Sequence, residues 1–330
     1  MNKTELKTYI SMLESVARGG KFTTTKGFKV GGGTITATDL TTRVMLNYNT
    51  LNTGVVSKVG LERLVLDPQS DISAYKVAEL DDYPTLTEQN FTITKKLSEN
   101  FVSGLLKAAD FVSKDNTREA LEQVWLQDGA IVATDGYKAI RLPDNDLGIL
   151  EPVSFSKTAL SLLKKAKKYG AWSLYLSEEV ARLTNGYIYI EWQKCHYQFP
   201  DMNALLAGVP KFDHIITLPM TELTALADKE HHIVKVEYDT GDISLGDISY
   251  KSEHDFVPTG LKSEVALAEP NDFAGSFVPR IIIMPMNTDD NEKSVAIDLT
   301  HLKTIGKKGT MALYVNRGKL KFLQFKILIN

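Results

Sequence analysis

Apolar residues recur at helical spacing in six segments of the chain, and short strand-like runs separate these segments. Residues 3–18 place Leu6, Tyr9, Leu13 and Val16 on one face, which is the i, i+3, i+4, i+7 pattern of an amphipathic helix. The same period predicts helices over 57–66, 98–113, 156–169, 220–229 and 299–307, and short apolar runs predict strands that include 121–127 and 130–134. Because two helices alternate with strands in each third of the chain, the pattern predicts an α+β protein built from a repeated unit.

A short motif occurs twice and marks the repeat. The segment Ala133-Thr134-Asp135-Gly136-Tyr137-Lys138-Ala139 lies between two apolar runs, and Ala37-Thr38-Asp39 stands at the matching place earlier in the chain. Asp followed by Gly favours a tight hairpin turn, where aspartate normally accepts hydrogen bonds from its own backbone. Both aspartates are therefore interpreted as structural. Gly31-Gly32-Gly33 precedes a strand rather than a helix, which favours a hairpin turn over a phosphate site.

These patterns divide the chain into three units, which we predict to be domains. They cover residues 1–94 (a shortened unit), 95–208 and 209–330. The last unit has no readable Ala-Thr-Asp copy, but its end repeats the strand and helix order of the second unit. In that match, Asn316-Arg317-Gly318 corresponds to the turn at Asn185-Gly186.

Composition limits the classes of protein that fit. The 330 residues are 43% hydrophobic and 24% charged, as in ordinary soluble globular domains, and no apolar run approaches the ~20 residues of a membrane span. A single cysteine, Cys195, excludes an internal disulfide framework and fits a reducing cytosol, so we expect a cytoplasmic protein without membrane contact. The formal net charge of −3 argues against a surface that is basic throughout, but it allows one basic face.

No group of residues forms a convincing catalytic or metal site. His231 and His232 are adjacent and diverge in either a helix or a strand, and Cys195 and His196 are disfavoured as a nucleophile–base pair for the same reason. The acidic run Asp289-Asp290-Asn291-Glu292 lacks the spacing of a calcium loop. We therefore expect no catalytic residue, no metal and no cofactor.

Basic residues gather on the helix faces opposite the apolar stripes. In the helix 156–169, Lys157, Lys164 and Lys168 lie together on one side. The other predicted helices contribute Lys7, Arg18, Lys58, Arg63, Lys303 and Lys307. For one helix alone, a solvated lysine face is the ordinary interpretation, and it stays open. The repetition favours a wall that holds a phosphate backbone without reading sequence.

The set of motifs resembles the bacterial DNA polymerase III β subunit family, the β sliding clamps. The resemblance is carried by Ala133 to Ala139, Asn116-Thr117-Arg118, Phe199-Pro200-Asp201, Gly19-Gly20-Lys21 and Tyr83-Pro84. It implies three repeated clamp domains per chain, and a head-to-tail homodimer that closes a ring with its helices around duplex DNA. It also implies a non-catalytic processivity factor in DNA replication, and it adds Lys21 and Arg118 to the DNA-facing residues.

The resemblance further implies an apolar pocket that binds short linear peptides of the DNA polymerase and the clamp loader. Thr134, Gly136, Tyr137, Lys138 and Ala139 would form one wall. The pocket would be completed by Leu206, Ile327 and Ile329, whereas Leu162 is either a contributor or a core residue. The chain ends Ile327-Leu328-Ile329-Asn330 where the family has Met-Pro-Met, and Met284-Pro285-Met286 stands earlier.

Two other functions stay open at this point. The first is a monomeric interaction module with the clamp fold that does not encircle DNA. The second is an enzyme, which the absence of a catalytic constellation makes the weaker alternative. The oligomeric state in solution distinguishes the first alternative from a ring.

Overall fold

The structure, a computed structural model, describes residues 1–84, 90–143, 148, 151–207, 214–226, 232–237, 243–245, 265–267, 280–283, 287–288, 294–306, 310–315 and 323–327. The first elements are α1 (Lys3–Gly19), β1 (Phe28–Gly31), β2 (Thr34–Thr38), β3 (Thr42–Asn47), β4 (Gly54–Val56), α2 (Lys58–Leu66), β5 (Lys76–Ala78) and β6 (Ile93–Lys96). Next come α3 (Glu99–Ala108), β7 (Val124–Gln127), β8 (Ala130–Thr134), β9 (Lys138–Pro143), β10 (Val153–Phe155), α4 (Lys157–Ala166), β11 (Ser173–Leu176), β12 (Val180–Thr184), β13 (Ile188–Gln193) and α5 (Met202–Ala207). The last are β14 (His214–Pro219), α6 (Met220–Leu226), β15 (Ile233–Glu237), β16 (Ile243–Leu245), β17 (Val265–Leu267), β18 (Arg280–Ile283), β19 (Asn287–Thr288), β20 (Ser294–Asp298), α7 (Leu299–Ile305), β21 (Thr310–Val315) and β22 (Leu323–Ile327).

All six predicted helices are present, and side-chain caps begin several of them. The Asn2 side chain accepts hydrogen bonds from the amides of Thr4 and Glu5, and the Glu5 carboxylate accepts one from the Asn2 amide, which is a capping box. Ser57, Ser98 and Ser156 cap α2, α3 and α4 in the same way.

Three details differ from the sequence predictions. The helix predicted over 98–113 ends as α3 at Ala108, and a 3-10 turn follows it. The strand predicted over 121–127 begins at Val124, because residues 119–122 form a 3-10 turn. The six-residue helix α5 was not predicted, since it is too short to show a helical period. At Gly32 and Gly33, φ values of 58° and 73° form the predicted two-residue hairpin turn.

The chain forms two compact units, each with its own core. Unit 1 comprises residues 1–109 and 146–197, and unit 2 comprises residues 110–145 and 198–330. The predicted middle domain, 95–208, contributes to both units. The three domain boundaries therefore stay a prediction about the repeat rather than a description of the compact units.

Unit 1 is built on one nine-stranded sheet with helices packed on it. Its strands follow the order β5-β4-β1-β2-β3-β13-β12-β11-β6. Helix α1 packs on β2 and β3, and α4 packs on β13. The buried faces of these elements form the core, where Tyr9, Leu13, Leu163, Ile190 and Trp192 are at most 1% exposed. Strands β3 and β13 come from different predicted domains, so their pairing carries the sheet across the boundary.

The four helices of unit 1 lie side by side in the order α2, α1, α4, α3, which we call the helix row. The Lys58 ammonium of α2 lies 3.3 Å from the Glu14 carboxylate of α1. Lys165 of α4 donates a 2.7 Å hydrogen bond to the Ser15 hydroxyl of α1, and α3 packs on α4. No helix in the described part of the chain is long and apolar enough to cross a membrane.

Unit 2 contains a large sheet and a four-stranded sheet. The strands of the large sheet follow the order β9-β18-β22-β21-β14-β17, and β8 and β7 continue it beyond β9. The four-stranded sheet has the order β16-β15-β20-β19. Helix α7 packs on β20, and α6 packs on α7 and β21, which buries Leu223, Leu299 and Leu302 completely.

A buried charged cluster joins three neighbouring strands of unit 1. Arg43 on β3 and Arg182 on β12 are the cross-strand partners of Glu191 on β13. Both guanidinium groups form ion pairs with the Glu191 carboxylate, and each Nε donates a 2.6 Å hydrogen bond to it. Glu191 is 1% exposed, and the ring of Phe91 lies 4.1 Å from the Arg182 guanidinium. Glu191 is thus fully paired where an unpaired carboxylate would be costly.

We expect Glu191→Gln to lower the free energy of unfolding by about 3–5 kcal/mol, because removal of one partner leaves buried charges without compensation. Urea unfolding followed by tryptophan fluorescence measures the loss, and Trp192, the residue after Glu191 on the same strand, contributes to this signal. The triple variant Arg43→Met/Arg182→Met/Glu191→Leu is the control and should recover most of the stability. A Glu191→Gln variant as stable as the parent would contradict this role.

Candidate functional site

The hairpin turn after β8 is held by a fixed pattern of hydrogen bonds. The Thr134 hydroxyl donates to the Lys138 carbonyl (2.8 Å) and accepts from the Gly136 amide (3.0 Å). The Asp135 carboxylate accepts from the amides of Tyr137 (2.9 Å) and Lys138 (2.8 Å). Gly136 has a φ of 93°, a left-handed conformation that glycine adopts without strain. The predicted structural role of Asp135 is confirmed.

In the described part of the chain the same turn occurs three times, once more than the repeated motif in the sequence indicated. Asp39 accepts from the amides of Thr41 and Thr42, which confirms its predicted role. Asn185 accepts from the amides of Tyr187 and Ile188 in the turn between β12 and β13. The residues after the three Asp or Asn positions, Leu40, Gly136 and Gly186, have φ values of 82°, 93° and 88°. The sequence does contain a sign of this third copy, because Thr-Asn-Gly-Tyr at 184–187 is similar to Thr-Asp-Gly-Tyr at 134–137.

Only the second copy of the turn contains a buried ion pair. The Lys138 ammonium lies 2.7 Å from the Asp135 carboxylate and 5.4 Å from the centre of the Phe111 ring. Both side chains are largely buried. Burial opposes ionisation of Asp135, but the hydrogen bonds from Lys138 and Tyr137 outweigh it and lower the pKa of this carboxyl group. The Lys138 side chain is therefore fixed against the turn.

Tyr137 projects from this turn into solvent. Its side chain is 61% exposed, and its ring stacks on the imidazole of His301 in α7, with the ring centres 6.5 Å apart and an angle of 22° between the planes. His301 was not selected from the sequence, where it was one residue of a predicted helix without a distinguishing pattern. An exposed aromatic ring beside buried apolar strands can contact an apolar partner.

The other residues that were predicted to line the pocket lie in separate elements of the structure. Leu206 lies in α5, where Asp201 accepts a hydrogen bond from the Ala204 amide, and Leu162 is 2% exposed in the core of unit 1. Ile327 ends β22, four residues beyond Leu323, which shares a cross-strand row with Ile283 and Lys138. Its backbone is therefore about 13 Å along the strand from that row. Ile329 lies outside the described residues.

The residues predicted to face DNA are mostly exposed. In unit 1, the exposed residues are Lys7, Arg18, Lys21, Lys58, Arg63, Lys157, Lys164 and Lys168. In unit 2, Arg118 is exposed and lies 3.6 Å from Asp115, Lys303 is partly buried, and Lys307 lies outside the described residues. Lys165 and Lys167, which the sequence analysis left out, are also exposed.

Helix α4, which ends at Ala166 and not at residue 169 as predicted, has with the two lysines after it the strongest local charge in the helix row. The segment from Lys157 to Lys168 contains five lysines and no acidic residue. On α2, by contrast, Lys58 is paired with Glu14 and lies 3.8 Å from Glu62. Among the helices of the helix row, positive charge without a nearby carboxylate is therefore greatest at α4 and the two lysines after it. Among the described residues, no group of three His, Cys, Asp or Glu side chains could hold a metal ion.

Comparison with solved structures identifies the fold as that of bacterial β sliding clamps. The sliding clamp of Bartonella birtlesii bound to griselimycin has a TM-score of 0.67 and 15% identity, over 100% of this chain and 98% of that one. The β subunit of DNA polymerase III from Thermotoga maritima gives 0.64 and 16%, over 99% and 97%. The Bacillus subtilis clamp gives 0.61 and 13%, over 100% and 98%. No family model and no curated protein matches the chain. The predicted α+β clamp fold is confirmed.

We expect Asp135→Asn to lower the free energy of unfolding by about 1.5–3 kcal/mol, because it removes the charged partner of Lys138. The amide oxygen can still accept the backbone hydrogen bonds, as Asn185 does in its own turn. Asp39→Asn is the matched control, since no lysine is paired with Asp39 in the described structure, and it should cost less than about 0.5 kcal/mol.

The pH dependence of the same pair of variants checks the cause. A carboxyl group whose pKa is lowered by folding stabilises the folded state above its ordinary pKa of 3.8, and this contribution is lost as the pH falls below that value. The difference in the free energy of unfolding between the parent and Asp135→Asn should therefore be constant at neutral pH and should shrink as the pH falls below 3.8. Urea unfolding at several pH values measures it, and a difference independent of pH would exclude the ion pair as the cause.

Proposed function

We propose that this chain, which has the fold of the bacterial β sliding clamps, acts as a DNA sliding clamp. It would be a processivity factor without a catalytic site that encircles duplex DNA as a head-to-tail homodimer and tethers a DNA polymerase. The three repeats at 1–94, 95–208 and 209–330 would supply three domains per chain, and hence six per ring. A cytoplasmic location is part of the same proposal.

The lysine face of α4, within the helix row of unit 1, is the observation that carries this proposal. Lys157, Lys164 and Lys168 form this face, and the segment from Lys157 to Lys168 has five lysines and no acidic residue, on a chain whose formal net charge is −3. Such a surface attracts the phosphate backbone through counterion release and carries no sequence information. A ring linked topologically to DNA needs only weak contacts of this kind, because strong or specific contacts would prevent sliding.

The proposed binding region for partner peptides is the hairpin that begins at Thr134 and ends at Ala139. Exposed Tyr137 lies beside a rigid turn, which the Asp135–Lys138 pair fixes, and Ala139 is 6% exposed on the adjoining strand. A small apolar site with a few polar edges suits a short linear peptide, since a few buried side chains supply most of the affinity. Peptides from the polymerase and the clamp loader are the proposed ligands.

Two experiments separate this function from a monomeric module with the clamp fold. A ring requires a solution mass near twice 36.7 kDa, which light scattering measures. On nicked circular DNA, an encircling ring should be retained after gel filtration and released when a restriction enzyme linearises the circle. A monomer at micromolar concentration, or release unaffected by linearisation, would favour the monomeric module.

We expect Lys164→Glu/Lys168→Glu to weaken binding to duplex DNA and to reduce the slope of log affinity against log salt by about 2, since each phosphate contact contributes about 0.9. Fluorescence anisotropy with a labelled duplex at several salt concentrations measures both quantities. The matched control is Lys96→Glu/Lys114→Glu, which changes the charge equally at two exposed positions outside the helices. Equal losses in both variants would assign the effect to net charge and contradict the α4 face.

A further inference from the structure

The third copy of the turn, at Asn185, connects two helices of unit 1. The Asn185 side-chain oxygen accepts hydrogen bonds from amides of its own turn, as the aspartates of the other copies do. Its side-chain nitrogen donates a 2.8 Å hydrogen bond to the Tyr9 hydroxyl of α1. The same nitrogen donates to the carbonyl of Tyr169, three residues after the end of α4. One side chain therefore closes the turn and joins α1 to the end of α4.

At the first two copies of the turn, the same position is an aspartate. Asp39 accepts hydrogen bonds from its own turn, and Asp135 also pairs with Lys138. An ionised carboxylate only accepts hydrogen bonds, so it cannot replace the donor that the third copy needs. The bridge between the two helices is therefore a physical reason for asparagine in the third copy. The turn predicted to match it, Asn316-Arg317-Gly318, lies outside the described residues.

Tyr169 is held by three contacts at the junction of α1 and α4. Asn185 binds its carbonyl group, and its hydroxyl group lies 3.2 Å from the Thr8 hydroxyl of α1. Its ring meets the Tyr9 ring edge-on, with the ring centres 5.9 Å apart and an angle of 78° between the planes. Tyr9 is itself fully buried in the core of unit 1. The Tyr169 ring therefore has a fixed position in the helix row.

A lysine of the α4 face lies over this fixed ring. The Lys168 ammonium is 5.0 Å from the centre of the Tyr169 ring, within the ~6 Å range of a cation–π interaction. Lys168 is still exposed, so a ligand in solution can reach its ammonium group. Lys164, four residues earlier, is also exposed, and the described structure places no aromatic ring beside it. The two lysines thus differ in how firmly their side chains are held.

Such restraint matters because a lysine side chain is flexible. Its rotatable bonds let the ammonium group occupy many positions, and binding to a phosphate group restricts them at a cost in conformational entropy. A ring that already restrains the side chain removes part of this cost before the ligand binds. Lys165 is restrained in a different way, by its hydrogen bond to the Ser15 hydroxyl. Contacts at the junction of α1 and α4 therefore restrain two of the five lysines.

We propose that Tyr169 is a positioning residue, which holds the Lys168 ammonium at one place on the helix row, and that Asn185 is its anchor. The ligand of Lys168 is the phosphate backbone of duplex DNA, so this inference rests on the proposed clamp function. Tyr169 acts through Lys168 and does not itself contact the phosphate group. Because Tyr169 belongs to the second predicted domain and Tyr9 to the first, the position of Lys168 depends on the contact between these two repeats.

Nuclear magnetic resonance of protein with isotope-labelled lysine tests the placement of the side chain without DNA. The ring current of Tyr169 should move the ε-methylene signal of Lys168 upfield from the position of free lysine, and Lys168→Gln identifies this signal by its loss. The shift should persist in Tyr169→Phe, which keeps the ring, and vanish in Tyr169→Leu. Asn185→Ser keeps an acceptor for the turn but is too short to bridge Tyr9 and Tyr169, so it should reduce the shift. An unshifted signal in the parent would overturn the proposal.

A double-variant cycle tests the role in DNA binding, by fluorescence anisotropy with a labelled duplex. Tyr169→Leu should weaken binding about two- to tenfold, the factor that corresponds to ordering one long side chain. It should leave the slope of log affinity against log salt unchanged, because no charge is lost. In a Lys168→Gln background, Tyr169→Leu should have no further effect, whereas in the matched Lys164→Gln background its effect should be as large as in the parent. Tyr169→Phe should restore most of the affinity that Tyr169→Leu loses.

The outcomes distinguish this proposal from the proposed function. An equal loss on Tyr169→Leu in the parent and in Lys168→Gln would mean that Tyr169 acts only through the fold, which would overturn its positioning role and leave the α4 face intact. Full binding by both Lys164→Gln and Lys168→Gln would contradict the α4 face itself, and this proposal with it. An unchanged lysine signal in Asn185→Ser would overturn the role of Asn185 alone. Circular dichroism identifies a variant that fails to fold, and Asn185→Ser replaces Tyr169→Leu in the cycle if the latter does.

Discussion

Pairing of strands across the repeat boundaries is the constraint on which the architecture depends. A sheet edge exposes backbone N–H and C=O groups that require partners, and a repeated α+β unit has an edge on each side. Strand β3 meets β13 in unit 1, and β9 meets β18 in unit 2, so each large sheet continues through the boundary between repeats. The repeats thereby share sheets instead of standing as separate bodies, which explains why the compact units divide the predicted middle domain.

The two boundary pairings lie beside equivalent turns, and the side chains around these turns differ. In unit 1, the row beside the repeated turn contains the Arg43–Glu191–Arg182 cluster, which fixes three strands relative to one another. In unit 2, β9 pairs with β18 beside the equivalent turn, which carries the Asp135–Lys138 ion pair and the exposed Tyr137. Equivalent parts of a repeated framework can thus carry different chemistry, here a buried ion cluster beside one copy of the turn and an exposed aromatic ring on another.

Local features of this fold follow from the sequence, whereas the order of strands does not. Helical periodicity located all six predicted helices, and the Asp-Gly signal located the turn at Asp135, because both depend on neighbouring residues. The place of β18 depends on partners near Ala139 and Gln324, far away along the chain, and no local pattern reports such pairing. The tripeptide Met284-Pro285-Met286 stands earlier in this chain than in the family, and it directly follows β18 in the sequence. It was the one sequence feature that hinted at the unusual place of this strand. Glu191 and His301 were missed for a related reason, since their significance comes from the residues that they meet in space.

The position of β18 between β9 and β22 has a consequence for how the chain acquires its structure during synthesis. The sheet of unit 1 is complete once β13 has left the ribosome, because all its strands lie before residue 194. Strand β18 can pair with β9 on one side as soon as it is made, but its other neighbour, β22, emerges later. Contacts between distant segments form slowly, and unpaired strand edges promote misassembly. The second half of the nascent chain therefore passes through a stage with an open edge at β18, during which a chaperone or the ribosome surface can protect it.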